Sequence, residues 1–237
     1  MIEGGKILAD VKRQIKEFAQ IETSLQAIDK KAENLIISAG AKPSFKMVPN
    51  YNWTSCININ DSIVHGIPKG NLKKGDFVTI DMGVYHKGFH TDSAMSFIIG
   101  KSTKEQEHFL NVGEKVLAKT IKKAVVGNKI KDLSKSMQQG VESEGFNVVR
   151  QLTGHGVGEE LHQKPSIPCY VSNHKDMRVK LYDGMTIAIE VMYTMGDWPL
   201  IQDSDGWTLR TQDGKLSAVV EETVLVTKNK PIALTAL

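Results

Sequence analysis

The stretch TIDMGVYHKGFHTDS, residues 79–93, decides the fold class of the chain. Apolar and polar residues alternate with a period of two on both sides of a polar centre, which predicts a β-hairpin. A two-residue turn at His86 and Lys87 puts Tyr85 opposite Gly88. This turn fixes which side chains share a face of the hairpin.

The predicted register puts two aspartates, Asp81 and Asp92, directly opposite each other. Opposed Cβ atoms are roughly 4.5–5.5 Å apart, and like charges at that distance destabilise the strand pair. The flanking residues supply no positive charge, which favours a divalent cation between the carboxylates; they are Ile80, Met82, Thr91 and Ser93. The alternative is a turn displaced by one residue, which would send one aspartate to solvent.

The rest of the chain switches between helical and strand periodicity. Apolar residues recur at helical spacing over residues 6–39 and 103–145, and period-two alternation covers 54–99. Further strands are predicted at 147–152, 184–192, 198–202 and 217–227. Helices followed by strands, twice over, indicate an α+β chain of two similar halves in a single domain, residues 1–237.

The composition is that of a globular protein, with 41% hydrophobic and 24% charged residues. A net charge of +3 is too balanced to indicate specific nucleic-acid binding. Cys56 and Cys169 form no CxxC motif, which argues against a zinc ribbon or a disulfide framework. The chain has no apolar run of about 18 residues and no signal-peptide core, so we expect a cytoplasmic protein without a membrane segment.

Two histidines in the segment LTGHGVGEELHQKP, residues 152–165, are candidate functional residues. His155 lies between two glycines, and a loop of this kind lets an imidazole project into a cavity. His162 follows seven positions later. A structural or surface role is the alternative for each histidine taken alone.

Three glutamates interrupt apolar strands in the second half. Glu190 ends the segment TIAIE, where an unpaired carboxylate would be costly to bury. Glu221 and Glu222 interrupt SAVVEETVLVT, and alternation points them to opposite faces, so one of the two should face inward. The alternative for each is an edge strand whose polar side lies in water.

Two aspartates, two glutamates and one histidine are the ligand inventory of a dinuclear metal site bridged by carboxylates. Carboxylates with one imidazole suit Mn, Fe, Co or Zn. In such centres two ions share a bridging water whose pKa falls enough to supply hydroxide near neutral pH. The inventory therefore predicts hydrolysis.

The motifs together resemble the type I methionine aminopeptidases of the pita-bread metallopeptidase family. The resemblance rests on HGIP at 65–68, the hairpin from DMG to HTDS, TGHGVG at 153–158, the Glu190 strand, and GWTLRTQDGKLSAVVEETVLVT at 206–227. It implies a pita-bread fold, with two pseudo-symmetric halves, a central antiparallel sheet and the helices outside.

The resemblance also implies the ligand set and the activity. Two divalent ions would be held by Asp81, Asp92, His155, Glu190 and Glu221, with Asp92 and Glu221 bridging. The activity implied is removal of the initiator methionine from nascent polypeptides. The mild positive charge is compatible with transient proximity to the ribosome.

Catalytic and substrate-binding residues follow from the same resemblance. His65 and His162 would hydrogen-bond the substrate, and Glu190 would help move a proton to the leaving amine. The methionine pocket would be formed by Tyr51, Cys56, Leu161 and Trp207, where sulfur packs well against aromatic edges.

The chain departs from the family pattern at four positions, none of them a predicted ligand. Glu222 stands at a position where the family commonly has histidine, and Val191 at one where it has proline. Thr91 replaces a common glycine, and Leu161 replaces a common aromatic residue. Such neighbours tune metal preference, rate and pocket size.

Two other functions are compatible with these motifs. One is an X-Pro aminopeptidase or prolidase of the same fold. The other is a binding protein that keeps the fold without catalysis, although such proteins typically lose ligands.

Overall fold

Four α-helices lie where apolar residues recur at helical spacing, in a computed structural model that describes residues 1–236. They are α1 (Ile2–Phe18), α2 (Leu25–Ser38), α3 (Lys104–Ile121) and α4 (Ile130–Glu142). The Ser24 hydroxyl caps α2, and Thr103 and Gln106 form a capping box at the start of α3. The helices predicted within residues 6–39 and 103–145 are confirmed.

Thirteen strands are present among the described residues. They are β1 (Lys42–Pro43), β2 (Ser55–Ile59), β3 (Ser62–Val64), β4 (Phe77–His86), β5 (Phe89–Ile98), β6 (Asn147–Val148), β7 (Thr153–Gly156), β8 (Gln163–Pro168), β9 (Thr186–Thr194), β10 (Leu200–Gln202), β11 (Leu209–Thr211), β12 (Ser217–Leu225) and β13 (Ile232–Ala233). The sequence did not predict β1, β7, β8, β11 or β13, and the strand predicted at 147–152 ends at Val148.

The strands form one large sheet in each half and a small one between distant segments. In the first half β4 pairs with β1, β2 and β5, and in the second half the order is β13-β12-β9-β7-β8, with β6 also paired to β9. The third sheet has the order β10-β11-β3. All named strand pairs are antiparallel.

Each half covers its sheet with its own helix pair. Apolar side chains of α1 and α2 pack on β4 and β5 in one core cluster, and those of α3 and α4 pack on β9 and β12 in another. Burial of these apolar faces is the main stabilising contribution. The predicted α+β class, with helices then strands in each half, is confirmed.

The halves meet where β5 lies beside β12. Side chains rather than a regular backbone ladder join these strands: Ser93 Oγ donates to the Glu221 carbonyl at 2.7 Å, and Ser96 Oγ to the Val219 carbonyl at 2.8 Å. Thr223 Oγ1 donates to the Asp92 carbonyl at 2.7 Å. This seam carries two of the predicted ligands.

Candidate metal centre

The hairpin of β4 and β5 brings Asp81 and Asp92 to one face, but with a different register from the predicted one. The turn lies at Lys87 and Gly88, both with positive φ (49° and 88°), a combination typical of a type I′ turn. Asp81 is paired with Ala94, and Asp92 with Gly83. The prediction that the aspartates are directly opposed is therefore wrong.

The change of register leaves both aspartates on the same face. Moving a two-residue turn by one position changes every pairing by two residues, and a shift of two preserves the face because side chains alternate with period two. The alternative that such a displacement would send one aspartate to solvent is also wrong. Asp81 and Asp92 are diagonal neighbours, and Asp92 is 3% exposed.

A directly opposed pair of acids occurs instead in the second half. Glu190 of β9 is the cross-strand partner of Glu221 of β12. Glu221 is 2% exposed, so it is the inward-facing member of the Glu221–Glu222 pair. The Glu222 carboxylate lies on the other face, where Lys12 Nζ approaches one of its oxygens at 2.9 Å.

His155 lies on a short strand, β7, and the prediction of a glycine loop is wrong. The flanking glycines allow close backbone contact, because a Cβ at Gly154 would come within 2.6 Å of the Ala188 carbonyl oxygen. The Nδ1–H of His155 donates to the Gly156 carbonyl oxygen at 2.9 Å. The lone pair of Nε2 is then free, and this atom lies 3.4 Å from Glu190 Oε1 and 3.8 Å from Asp92 Oδ2.

Possible ligand atoms of the predicted metal-binding residues converge in overlapping groups, one of which also includes His162, which was not predicted as a ligand. Within each group the atoms lie within 4.8 Å of one another; the groups are Asp92, His155 and His162; His155, Glu190 and Glu221; and Asp81, Asp92 and Glu221. The first half thus contributes two carboxylates, and the second half two carboxylates and the imidazole.

Burial strongly perturbs the acids of the site. It raises the pKa of Asp81 to about 7 and that of Asp92, Glu190 and Glu221 well above the ordinary range, and mutual repulsion adds to the effect for the last three. Burial lowers the pKa of His155 to about 4, so its imidazole is neutral near pH 7.

The oxygen atoms of the site fit divalent cations. Asp81 Oδ1, Asp92 Oδ1 and Glu221 Oε1 are buried and have no hydrogen-bond partner within residues 1–236. Buried carboxylate oxygens without partners are costly unless a cation or proton satisfies them. Carboxylates with one neutral imidazole suit divalent transition metals.

His65 and His162 both line the cavity that contains the carboxylates. The His162 ring lies 4.4 Å from that of His155 in an edge-to-face contact. His65 has a positive φ of 57°, and the following Gly66 N–H donates to Asn58 Oδ1 at 2.9 Å. Asn58, which is buried, was not predicted, although its position two residues beyond Cys56 in the alternating strand indicates the same face.

The predicted methionine-pocket residues form one cluster in the same cavity, whose volume is about 370 Å³. Tyr51 packs edge-to-face on Trp207 with ring centres 5.0 Å apart. The Tyr51 hydroxyl lies 3.1 Å from both the Ser55 carbonyl and Cys56 Sγ. Leu161 joins this cluster with Phe45 and Val48, which were not predicted. Other residues that were not predicted line the same cavity: Val64, Gln151, Leu152, Thr153 and Met192.

Lys12 was also not predicted, although its sequence position carries a signal. It falls on the apolar stripe of α1 between Leu8 and Ile15, and it is 1% exposed. Its Nζ donates to Ser93 Oγ at 2.6 Å and to Glu222 Oε1 at 2.9 Å. Those two bonds direct the ammonium to Glu222 and Ser93 rather than to the four convergent carboxylates.

Comparison with known proteins agrees with this geometry. Residues 1–228 match the model of metallopeptidase family M24. A methionine aminopeptidase of Clostridium perfringens is 40% identical over 238 aligned positions, which cover 100% of this chain and 95% of the relative. The crystal structure of a methionine aminopeptidase from Thermotoga maritima has a TM-score of 0.96 at 35% identity and covers 100% of this chain and 95% of that one.

The chain therefore belongs to metallopeptidase family M24, a family of hydrolases that use divalent metal ions. Within it, the similarity over full length is to methionine aminopeptidases. A prolidase from Pyrococcus furiosus shares the fold, with a TM-score of 0.77, but is 22% identical, and the match covers 63% of its chain. The predicted family and pita-bread fold are confirmed.

No helix within residues 1–236 is long and apolar enough to cross a membrane.

Proposed function

We propose that the chain is a methionine aminopeptidase that removes the initiator methionine from nascent polypeptides. The observation that carries this proposal is the convergence of four carboxylates and one neutral imidazole, drawn from both halves, beside an aromatic pocket; Asp92 and Glu221 are buried, and Asp81 and Glu190 are partly buried. Because both halves contribute, we propose that residues 1–237 act as a single catalytic domain.

The proposed ligands are Asp81, Asp92, His155, Glu190 and Glu221, which would hold two divalent ions, with Asp92 and Glu221 bridging. Asp92 and Glu221 suit the bridging role because Asp92 belongs to two of the convergent groups, as does Glu221. When bound, such ions polarise a carbonyl and lower the pKa of water, so that hydroxide is available near neutral pH. The donor set is compatible with Mn, Fe, Co or Zn.

His65 and His162 are the proposed donors to the substrate. Both line the cavity beside the carboxylates, where a ring N–H can donate to the scissile carbonyl oxygen as negative charge develops on it. Glu190 is proposed to help move a proton to the leaving amine, because it lines the cavity in which the substrate would bind.

The pocket supports selection of a methionine side chain. Tyr51 and Trp207 offer aromatic edges to a thioether, and Cys56 and Leu161 complete an apolar wall. The substrates are proposed to be polypeptide N-termini emerging in the cytoplasm, with at most transient ribosome proximity and no specific nucleic-acid or membrane binding.

The test measures metal stoichiometry and peptidase activity on one sample. The metal-free protein is titrated with Mn²⁺, Fe²⁺, Co²⁺ and Zn²⁺ under anaerobic conditions and assayed on Met-Ala-Ser and on an Ala-Pro peptide. We expect two bound ions and cleavage of Met-Ala-Ser. Preference for Ala-Pro would identify the prolidase alternative, and the absence of hydrolysis with two ions bound would identify the binding-protein alternative.

A further inference from the structure

Lys12, Ser93, Glu222 and Thr235 form a buried polar cluster, the Lys12 cluster, directly behind the proposed metal centre. Lys12 is the cation of the cluster and Glu222 its anion. The Thr235 hydroxyl donates to Glu222 Oε2, and its oxygen accepts from the Thr223 N–H at 3.0 Å. The cluster thus joins α1, β5, β12 and the segment after β13.

Two members of the cluster are chain neighbours of the proposed bridging ligands. Ser93 follows Asp92 on β5, and Glu222 follows Glu221 on β12. Ser93 Oγ also donates to the Glu221 carbonyl at 2.7 Å. This hydrogen bond links the backbones of the two strands that carry the bridging carboxylates.

The chemistry of Lys12 fixes the direction of that link. An ammonium group has three donors and no acceptor, so the Ser93 oxygen must accept from Lys12 Nζ. The Ser93 proton is then directed away from Lys12, toward the Glu221 carbonyl oxygen at 2.7 Å, which is nearer than the other acceptor, Glu222 Oε2, at 3.2 Å. A serine hydroxyl without this neighbour could rotate and lose the bond across the seam.

We propose that Lys12 is a positioning residue: paired with Glu222, it orients the Ser93 hydroxyl and thereby fixes the spacing between Asp92 and Glu221. This inference rests on the proposed dinuclear site. A buried ion pair is weak support for stability by itself, because desolvation offsets much of the attraction. Here the Lys12–Glu222 pair orients the Ser93 hydroxyl, which links the two strands that carry Asp92 and Glu221.

The charges of Lys12 and Glu222 allow the positioning role to be separated from a long-range electrostatic one. Lys12→Met removes a positive charge, and Glu222→Gln removes a negative charge. Both changes break the pair, so positioning predicts the same direction for both. A purely electrostatic effect on a bound cation predicts opposite directions, with tighter binding in Lys12→Met and weaker binding in Glu222→Gln.

The experiment titrates Co²⁺ into metal-free protein by calorimetry, for wild type, both single variants and the double variant. We expect each single variant to bind the second ion about 10- to 100-fold more weakly, the usual effect of losing an outer partner of a metal ligand. The double variant should regain most of the affinity, because Glu222 Oε2 lies 3.2 Å from Ser93 Oγ, so the side-chain amide introduced by Glu222→Gln can donate to Ser93 without leaving a charge unpaired. Lys16→Met, on the exposed side of α1, is the matched control and should bind like wild type.

Unchanged affinity in the single variants, or opposite changes in the two, would overturn the positioning role. If the wild type itself binds fewer than two ions, the dinuclear proposal fails instead, and the two failures are thereby distinguished. If Lys12→Met does not fold, Ser93→Ala tests the same link without a change of charge. We expect Ser93→Ala to weaken binding of the second ion about tenfold. Wild-type affinity in this variant would contradict the proposal.

Discussion

Glu190 and Glu221 face each other directly across the antiparallel pair of β9 and β12. The diagonal pair Asp81 and Asp92 approaches them from the other half, so four carboxylates share one buried region. Like charges at these distances repel, and burial removes the water that would screen them. The metal-free site therefore destabilises the fold, and bound cations should reverse that effect.

The stability of the metal-free protein should fall as pH rises from about 6.5 to 8. The folded-state pKa of Asp81 is raised to about 7, and the pKa values of the other three acids are raised well above their ordinary range, so the folded state binds more protons than the unfolded state in this range. Burial lowers the pKa of His155 to about 4, and it also lowers the pKa values of His65, His90 and His162, so these histidines oppose the trend near pH 6.5 and have little effect at pH 8. Thermal unfolding at several pH values, with a chelator present, measures how the melting temperature depends on pH.

The same scan with Mn²⁺ added is the control for this pH dependence. Bound cations favour the ionised acids, so the increase in melting temperature on adding Mn²⁺ should be greater at pH 8 than at pH 6.5. A metal-free protein whose melting temperature rises between these two values would contradict the raised pKa of the carboxyl cluster.

Asp92→Asn should abolish activity and tight binding of the second ion while stabilising the metal-free protein. The amide retains the shape of the side chain but removes one of four repelling charges and one proposed bridging ligand. The loss of activity should exceed the roughly 100-fold that follows loss of an outer hydrogen-bond partner. Metal stoichiometry, turnover and the melting temperature in the presence of a chelator are measured on the same preparation. Unchanged turnover would refute the bridging role.

The sequence predicted which acids converge better than it predicted how they are arranged. Alternation predicted that Asp81 and Asp92 share a face of the hairpin, and a register shift of two residues does not change that face. Whether the two aspartates are directly opposite each other depends on the position of the turn. Lys87 adopts positive φ without being a glycine, although Gly88 after it is a residue typical of the second position of a type I′ turn. The turn therefore lies one residue later.

Lys12 and the close backbone packing around His155 depend on contacts between distant segments. A lysine on an apolar helix stripe predicts burial, but its partner Glu222 is 210 positions away in the chain. Likewise, Gly154 indicated a flexible loop until the neighbouring strand, which carries Ala188, was known. Local periodicity carries no information about such pairings.

His155 and His162 offer a matched pair of substitutions. Their rings are 4.4 Å apart, yet only His155 is proposed as a ligand. His155→Ala should release one ion. His162→Ala should keep two ions and lower kcat by about 10²- to 10⁴-fold, the range for a lost proton donor or acceptor. Loss of an ion from His162→Ala would show that His162 is itself a ligand, consistent with its position near Asp92 and His155.

Trp207→Ala should weaken selection of methionine without changing the metal content. Trp207 lines the cavity and packs on Tyr51, and sulfur–aromatic contacts contribute about 0.3–1.5 kcal/mol, so kcat/KM for Met-Ala-Ser should fall up to about tenfold. Trp53→Ala is the control, because Trp53 packs on Tyr51 at 5.2 Å but is not among the residues that line the cavity. If kcat/KM fell equally in both variants, the cause would be lost packing against Tyr51 rather than a lost contact between Trp207 and the substrate thioether.

Two adjacent glycines of α1 should respond to alanine in opposite directions. A Cβ at Gly5 would lie 2.2 Å from the Leu234 carbonyl oxygen, a backbone atom, so either α1 or the segment after β13 would have to shift. Gly5→Ala should lower the free energy of unfolding by about 1–3 kcal/mol, as overpacking does. A Cβ at Gly4 would meet His86 and Thr91 at 3.5–3.7 Å, which is ordinary contact. Gly4→Ala should therefore raise the free energy of unfolding by about 0.5–1 kcal/mol, because alanine loses less backbone entropy in a helix.

Urea unfolding of both alanine variants measures this difference. Gly4 lies next to Thr91, the residue that stands where the family commonly has glycine, so the small helix residue leaves room for the larger strand residue. If Gly4→Ala destabilises as much as Gly5→Ala, that contact is tighter than the distances indicate. If Gly5→Ala is neutral, then α1 can move away from Leu234, and the same freedom would extend along the helix toward Lys12.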